Sequence, residues 1–288
     1  MKDVVRKVSV ITIAVNLLLT VIKIYAGIVD NSSAVLSDAL HSASDVLSTF
    51  VVMIGVHLAS KESDKEHPYG HERLECIAAI ILAVILVVTG GSIGIKAIIN
   101  IITKNISTVS ITNVAITATI VSIITKELMF WYTKINAEKI NSGALLADAW
   151  HHRSDSLSSI GALIGLIAMR NGIWFADALT SVLISLVILK VSYDIFIDSV
   201  DKLVDKSCDK ETEKEIYNFV KSYKDIERID VLQTRLFGNK IYVDLEVGVS
   251  GEYTLREAHN IAEDLHNNIE KEFKDIKHIM VHINPVEA

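Results

Sequence analysis

The sequence predicts an α-helical membrane protein with six transmembrane helices and a C-terminal cytoplasmic α+β domain. Half of the 288 residues are hydrophobic and the mean hydropathy is positive, a composition that is unusual for a water-soluble domain of this length. The composition also changes sharply along the chain. Residues 1–200 hold long apolar stretches, whereas residues 201–288 are rich in charged side chains. The predicted boundary between the membrane domain and the cytoplasmic domain therefore lies at residue 200.

Six apolar stretches in the membrane domain approach the roughly 20 residues that a helix needs to cross a bilayer. Short polar segments separate these stretches, which cover Val8–Val29, Ala34–Ala59, Leu74–Ile102, Ile111–Tyr132, Ser142–Met169 and Trp174–Ile197. Lysine and arginine are concentrated at the N-terminus and in the loops that follow the second and fourth stretches. Because basic loops favour the cytoplasmic side, we predict a multi-pass protein of the cell membrane with both termini in the cytoplasm.

The C-terminal residues carry the patterns of a small two-layer domain. Apolar Ile216, Phe219 and Val220 recur at helical spacing, and the segments IDVLQTRLFG and KIYVDLEVGVS alternate as strands around a turn at Gly238. A second amphipathic helix, TLREAHNIAEDLHNNIEKEF, and a short strand, HIMVHINP, follow. The predicted order is αββαβ with a three-stranded sheet. We expect a domain this small to gain stability by dimerisation.

One polar nonapeptide occurs twice within the apolar part of the chain. Residues 37–45 are SDALHSASD and residues 147–155 are ADAWHHRSD, so Asp, Ala, His, Ser and Asp recur at the same offsets. Residues three, four and seven apart share one face of a helix, so each copy forms a polar stripe. Ionisable residues inside a membrane are costly and usually mark an ion or proton path. The leading aspartates, Asp38 and Asp148, either orient the imidazole rings that follow them or pack the helices.

The two stripes together offer the ligands of a zinc site. His41 and Asp45 on the second span and His151 and Asp155 on the fifth supply two imidazole nitrogens and two carboxylate oxygens. This is the number and type of ligands that tetrahedral Zn²⁺ prefers, whereas magnesium or calcium would use more carboxylates and no imidazole. A single HxxxD pair could equally be a structural hydrogen bond between helices. The duplication of the pair favours the metal site.

The six spans, the paired HxxxD sequences, the segment HPYGHERLE at residues 67–75 and the αββαβ tail resemble the cation diffusion facilitator family over nearly the whole chain. The resemblance implies a homodimeric exporter that binds a divalent cation between its second and fifth helices and exchanges it for protons by alternating access. It implies a transport site formed by His41, Asp45, His151 and Asp155. Zinc is the favoured ion, because a first ligand of His goes with zinc in the family. The alternative is the same mechanism for Mn, Fe, Co, Ni or Cd.

The loop after the second span resembles a further metal site of the family at the membrane boundary. The resemblance implies Asp64, His67 and His71 as its ligands. Histidines beside Pro68 and Gly70 are equally suited to shaping a tight turn. Both interpretations stay open for this loop.

The tail resembles the family's cytoplasmic metal-binding domain, in which a binuclear site links two protomers. By position, Asp230, Asp244, His259 and His282 align with ligands of that site. Asn284 stands where some relatives have an aspartate, and two histidine positions of the family are aspartates in this chain. The resemblance therefore implies a candidate regulatory zinc site in the tail.

One further pair of positions matches an ion pair that interlocks the family's dimer at the membrane surface. The resemblance implies Arg73 and Asp205 for this pair, with Asp201 as a competing partner of the arginine.

Ligand chemistry predicts how metal and protons are coupled. Neutral imidazole and ionised carboxylate bind a cation, whereas protonation removes them as ligands, so binding of Zn²⁺ releases protons. The predicted activity is antiport and not enzymatic catalysis. A membrane metalloenzyme, the alternative from another class, needs an open coordination position that four protein ligands do not leave. We expect Zn²⁺ as the ion and no organic cofactor. The expected partners are a second copy of the chain, protons and the lipid bilayer, but no nucleic acid.

Overall fold

The computed structural model describes residues 2–29, 33–103, 113–170 and 176–287. The chain forms two compact units, Met1–Ser199 and Val200–Ala288, which we call the helical unit and the tail unit.

Long helices make up the described part of the helical unit. In chain order they are α1 (Lys2–Val29), α2 (Ser33–Ala59), α3 (Arg73–Thr103), α4 (Asn113–Lys139), α5 (Gly143–Arg170) and α6 (Ala176–Leu203). They lie at the six predicted spans. Helices α4 and α6 continue past the predicted ends Tyr132 and Ile197, because hydropathy marks where a helix is apolar and not where its backbone hydrogen bonding stops.

Hydropathy alone identifies fewer membrane spans than the six helices. Among the described residues, the stretches Asp3–Tyr25 and Arg73–Thr103 are long and apolar enough to cross a bilayer by composition. Six membrane crossings therefore stay a prediction.

Close helix contacts in the helical unit depend on small residues. A Cβ atom at Gly55 of α2 would collide with Ala78 of α3, and one at Gly94 of α3 would collide with Ser185 of α6. Small residues allow such close approach between helices, as is common in membrane bundles. The apolar core includes Val52 and other buried aliphatic residues of α1, α2, α3 and α5. This packing accompanies the burial of Asp45 of α2 and of Asp148, His151 and Asp155 of α5.

The tail unit has the predicted αββαβ order. Its elements are α7 (Lys210–Lys221), β1 (Arg228–Phe237), β2 (Lys240–Ser250), α8 (Leu255–Glu272) and β3 (Ile276–Val286). The strands lie in the order β1-β2-β3, with β1 antiparallel and β3 parallel to β2. Gly238 makes the predicted turn between β1 and β2 at φ 63°. The helices pack on the sheet through buried residues, among them Ile216 and Val220 of α7 and Leu265 and Ile269 of α8.

Helix α8 has a well-defined beginning. The Thr254 side chain accepts a hydrogen bond from the backbone N–H of Glu257, and the Glu257 carboxylate accepts one from the backbone N–H of Thr254. This reciprocal arrangement satisfies two backbone donors at the helix start. The backbone N–H of Thr254 also holds the pKa of the Glu257 carboxyl below its usual range.

Candidate metal centre

Asp45 of α2 meets two residues of the α5 stripe inside the helical unit. Asp45, His151 and Asp155 are buried, and each offers a ligand atom within 4.8 Å of the other two. The Nε2 atom of His151 lies 3.4 Å from Oδ1 of Asp45. His41 lies one helical turn before Asp45, but its side chain is outside the described residues. Three predicted ligands are thus brought together, and His41 as the fourth stays a prediction.

One buried ring atom at this centre lacks a hydrogen-bond partner among the described residues. Among the described residues, none forms a hydrogen bond with Nδ1 of His151. Buried polar atoms are nearly always paired, and leaving one unpaired costs roughly 1 to 3 kcal/mol. Nδ1 is therefore open to a further partner, whereas Nε2 is the ring nitrogen that lies beside the Asp45 carboxylate.

A buried lysine from α4 lies in the same centre, and the sequence analysis did not assign it. Nζ of Lys126 donates to Oδ2 of Asp45 at 2.5 Å and to Oδ2 of Asp155 at 3.0 Å. Lys126 is only 2% exposed, so its ammonium group and the two carboxylates interact with little water between them. The available signal was an ionisable residue inside an apolar span. The sequence could not indicate which residues Lys126 contacts.

Side chains next to Lys126 tie α4 to α5. The Ser156 hydroxyl donates to Oε1 of Glu127 at 2.6 Å, and Nε of Arg153 lies 3.8 Å from the same oxygen. The guanidinium of Arg153 also lies over the ring of Phe130, 4.3 Å from its centroid. These contacts hold α4 against α5 at the level of the centre, and so they help to position Lys126.

The leading aspartate of the second nonapeptide has a packing role in the structure. The Thr49 hydroxyl of α2 donates to Oδ1 of Asp148 at 3.2 Å, and Nε2 of His152 lies 3.6 Å from Oδ2 of Asp148. Asp148 therefore links α2 to α5 through Thr49 and also lies beside His152 of its own helix. The side chain of Asp38, its counterpart in the first nonapeptide, lies outside the described residues.

The loop between α2 and α3 brings its three predicted ligands together. Asp64, His67 and His71 have ligand atoms within 4.8 Å of one another. Oδ1 of Asp64 accepts hydrogen bonds from the backbone N–H groups of His67 at 2.7 Å and Glu66 at 2.9 Å. The first of these holds the pKa of the Asp64 carboxyl below its usual range. With Gly70 at φ 103°, the loop is also a tight turn, so the two interpretations of this segment are compatible.

The four tail residues that the family resemblance implies as metal ligands are not grouped in the way that the three loop residues are. Among the described residues, no group of three ligand atoms within 4.8 Å includes Asp230, Asp244, His259 or His282. The carboxylate of Asp230 instead lies 2.7 Å from Nε of Arg228 and accepts a hydrogen bond from the Asn284 side chain at 2.9 Å. On α8, the exposed His259 lies 3.9 Å from Glu263. A metal site formed by the four residues therefore stays a prediction.

The interlocking ion pair also stays a prediction. Arg73 begins α3 in the helical unit, and Asp205 follows α6 in the tail unit with φ 62°. The two positions belong to different units of the chain.

Comparison with known proteins relates both units to metal transport. Residues 9–204 match the model of a cation efflux transmembrane domain, and residues 208–286 match that of a cation efflux protein, cytoplasmic domain. The chain is 34% identical over 283 residues to an uncharacterized transporter of Methanocaldococcus jannaschii, covering 98% of this chain and 99% of the relative. It is 31% identical over 287 residues to the manganese efflux system protein MneP of Bacillus subtilis, covering 97% and 96%. It is 30% identical over 272 residues to the magnetosome protein MamB of Magnetospira, covering 94% and 92%.

Proposed function

The chain belongs to the cation diffusion facilitator family of metal cation efflux proteins, and from that premise we propose that it exports Zn²⁺ in exchange for protons. The observation that carries the proposal is the buried cluster of Asp45, His151 and Asp155 between two helices of the bundle. Charged side chains in such a position usually face an ion path. With His41 one turn from Asp45, the ligands are two imidazoles and two carboxylates, a set that suits tetrahedral zinc.

Manganese is the competing cargo, because two relatives are named manganese efflux system proteins. Mn²⁺ favours oxygen ligands such as carboxylate, carbonyl and water, whereas imidazole suits zinc. The presence of His151 at the cluster, and of His41 by sequence, supports zinc over manganese.

Proton exchange follows from the ligands. Imidazole and carboxylate must be deprotonated to bind a cation, so metal binding and proton binding oppose each other at His151 and its neighbours. We expect protons to enter the centre from outside as the metal leaves, and to be released inside when the next metal ion binds.

Lys126 adds a tethered cation to this cycle. Its ammonium group binds one oxygen of Asp45 and one of Asp155, which are among the oxygens that a metal ion would use. A dication and an ammonium group repel each other, so entry of the metal displaces Lys126. Return of the ammonium group then offsets the carboxylate charges when the metal leaves.

The transporter works as a homodimer in the cell membrane, with six crossings and both termini in the cytoplasm. The match of the tail to the family's cytoplasmic domain supports this arrangement. The small size of that domain also favours association.

Transport by reconstituted vesicles tests the proposal. Purified protein is placed in liposomes that contain a zinc-sensitive dye and a pH-sensitive dye, and zinc or manganese is added across a pH gradient. We expect Zn²⁺ flux with an opposite proton flux, and loss of both in Asp155→Ala. A matched control is Asp194→Ala, which removes a carboxylate that pairs with Lys190 on an exposed face of α6.

Three results would contradict parts of the proposal. Unchanged zinc flux in Asp155→Ala would contradict the assignment of the transport site. Zinc flux without proton movement would contradict the proposed coupling to protons. Manganese flux faster than zinc flux under the same conditions would show that manganese is the preferred cargo. The site assignment would stay intact.

A further inference from the structure

The tail unit contains a second cluster of metal-ligating side chains, separate from the four tail positions that the family resemblance implies. Nε2 of His266 lies 3.2 Å from Oε1 of Glu270, and Nδ1 of His278 lies 3.4 Å from the same oxygen. The two imidazole centroids are 5.4 Å apart. Each residue offers one ligand atom within 4.8 Å of the others. We propose that His266, Glu270 and His278 form a binding site for a zinc-like divalent metal ion.

The fold brings these residues together through a short connection. His266 and Glu270 are four residues apart on α8 and therefore share a face of the helix. Helix α8 ends at Glu272, and the backbone N–H of Ile276 donates to the carbonyl of Phe273 at 2.9 Å, which turns the chain directly into β3. This turn places His278, near the start of β3, beside the last turns of α8.

Each candidate ligand is anchored by a fully buried neighbour in the sequence. Leu265 precedes His266, Ile269 precedes Glu270 and Ile279 follows His278, and all three apolar side chains have no exposed surface. Core packing therefore holds the helix rotation and the strand register that direct the three ligand groups towards one another. Ligand groups held in place by packing lose little freedom when a metal binds.

The chemistry of the cluster suits zinc. Two imidazole nitrogens and one carboxylate are a ligand set of known zinc sites, where water or another group completes the tetrahedron. Calcium and magnesium prefer oxygen ligands and would not select two imidazoles. The side chains of His266 and Glu270 are about one third exposed, so an ion can enter from solvent.

The same helix contains a matched pair that lacks the third ligand. His259 and Glu263 are also four residues apart on α8, but they lie 3.9 Å apart with side chains 72% and 63% exposed. No described group of three ligand atoms includes this pair. The contribution of His278 from β3 therefore distinguishes the proposed site from an ordinary solvated pair on a helix.

A metal ion at this site would join α8 to β3. A metal ion that binds the folded tail but not the unfolded chain stabilises the folded state. The stabilisation grows with the logarithm of the ratio of metal concentration to Kd. The site does not depend on transport, since none of its residues belongs to the centre between α2 and α5. A failure of the efflux assay would leave this proposal unchanged.

Metal binding to the full-length protein tests the proposal. All variants carry Asp45→Ala and Asp155→Ala, which remove the centre in the helical unit. Bound Zn²⁺ per chain is measured by equilibrium dialysis and elemental analysis, and Co²⁺ is used as a probe because tetrahedral Co²⁺ absorbs visible light. We expect Glu270→Gln and His278→Ala each to lose one Zn²⁺ per chain and the corresponding Co²⁺ absorption. The matched control Glu263→Gln keeps both.

Hydrogen exchange provides a second measurement, which does not rely on counting bound metal. Zn²⁺ should slow amide exchange in residues 266–278 of the parent protein and leave it unchanged in Glu270→Gln. Unchanged zinc content and Co²⁺ absorption in both Glu270→Gln and His278→Ala would overturn the proposal. The same loss in Glu263→Gln would overturn it as well, because the effect would then not need His278.

Discussion

Replacement of Lys126 by methionine tests whether the transporter carries its own competing cation. Methionine keeps much of the length and apolar body of lysine but has no charge, so the variant removes the ammonium group and leaves the packing of α4. The carboxylates of Asp45 and Asp155 then face each other without the group that now binds both. We expect Lys126→Met to bind Zn²⁺ more tightly than the parent protein and to transport it more slowly.

The magnitude follows from the geometry. Ligand atoms of Asp45 and Asp155 lie within 4.8 Å of each other, so two ionised carboxylates repel each other by about 3.5 kcal/mol at an effective dielectric constant near 20. Removing one partner of a buried ion pair typically costs about 3 to 5 kcal/mol, which agrees in size. A dication relieves this repulsion. Zinc affinity should therefore rise by up to about two orders of magnitude, at roughly 1.4 kcal/mol for each factor of ten.

Competition with a zinc chelator measures the affinity in detergent, and the vesicle assay measures turnover. The matched control is Lys190→Met, which removes the same charge from the exposed pair with Asp194 on α6 and should leave both values unchanged. Weaker or equal zinc binding by a folded Lys126→Met protein would refute the reasoning. Lys126 would then position the ligands and not compete with the metal.

Two further predictions concern the packing that supports the centre. Thr49→Val removes the hydroxyl that donates to the buried Asp148, so the free energy of unfolding should fall by about 1 to 3 kcal/mol, seen as a lower Tm in detergent. The control Thr125→Val removes a hydroxyl that donates to the Val121 carbonyl in its own exposed helix turn, and it should change Tm little. An equal shift in both variants would argue against the role of Asp148. Gly55→Val should force α2 away from α3 and reduce the yield of folded protein, whereas Gly91→Ala, with open space around its Cβ position, should not. Normal yield and zinc flux in Gly55→Val would show that α2 and α3 do not need this close contact.

The helices and strands could be predicted because their signals are local. Apolar stretches indicated α1 to α6, and the alternation of apolar and polar residues indicated β1 and β2. The repeated spacing of His and Asp placed candidate ligands on single faces of α2 and α5. Ends of helices were less predictable. Helices α4 and α6 end at Lys139 and Leu203, beyond their apolar stretches. Their last residues are largely polar, so hydropathy does not show that the backbone hydrogen bonding continues there.

Side-chain partners that come from different elements could not be predicted in the same way. Lys126 binds Asp45, which is 81 residues away in the chain, and no periodicity connects two such positions. The same limit applies to Thr49 with Asp148.

The amino-acid sequence by itself determined the order of elements and which metal-ligating residues share a helix face, because both depend on the geometry of one segment. Only the tertiary structure decided that Lys126 lies between the two carboxylates of the centre. It also decided that His278 lies beside His266 and Glu270. The reason is physical: packing of one helix or strand against another sets these distances, and many residues along the chain contribute to that packing together.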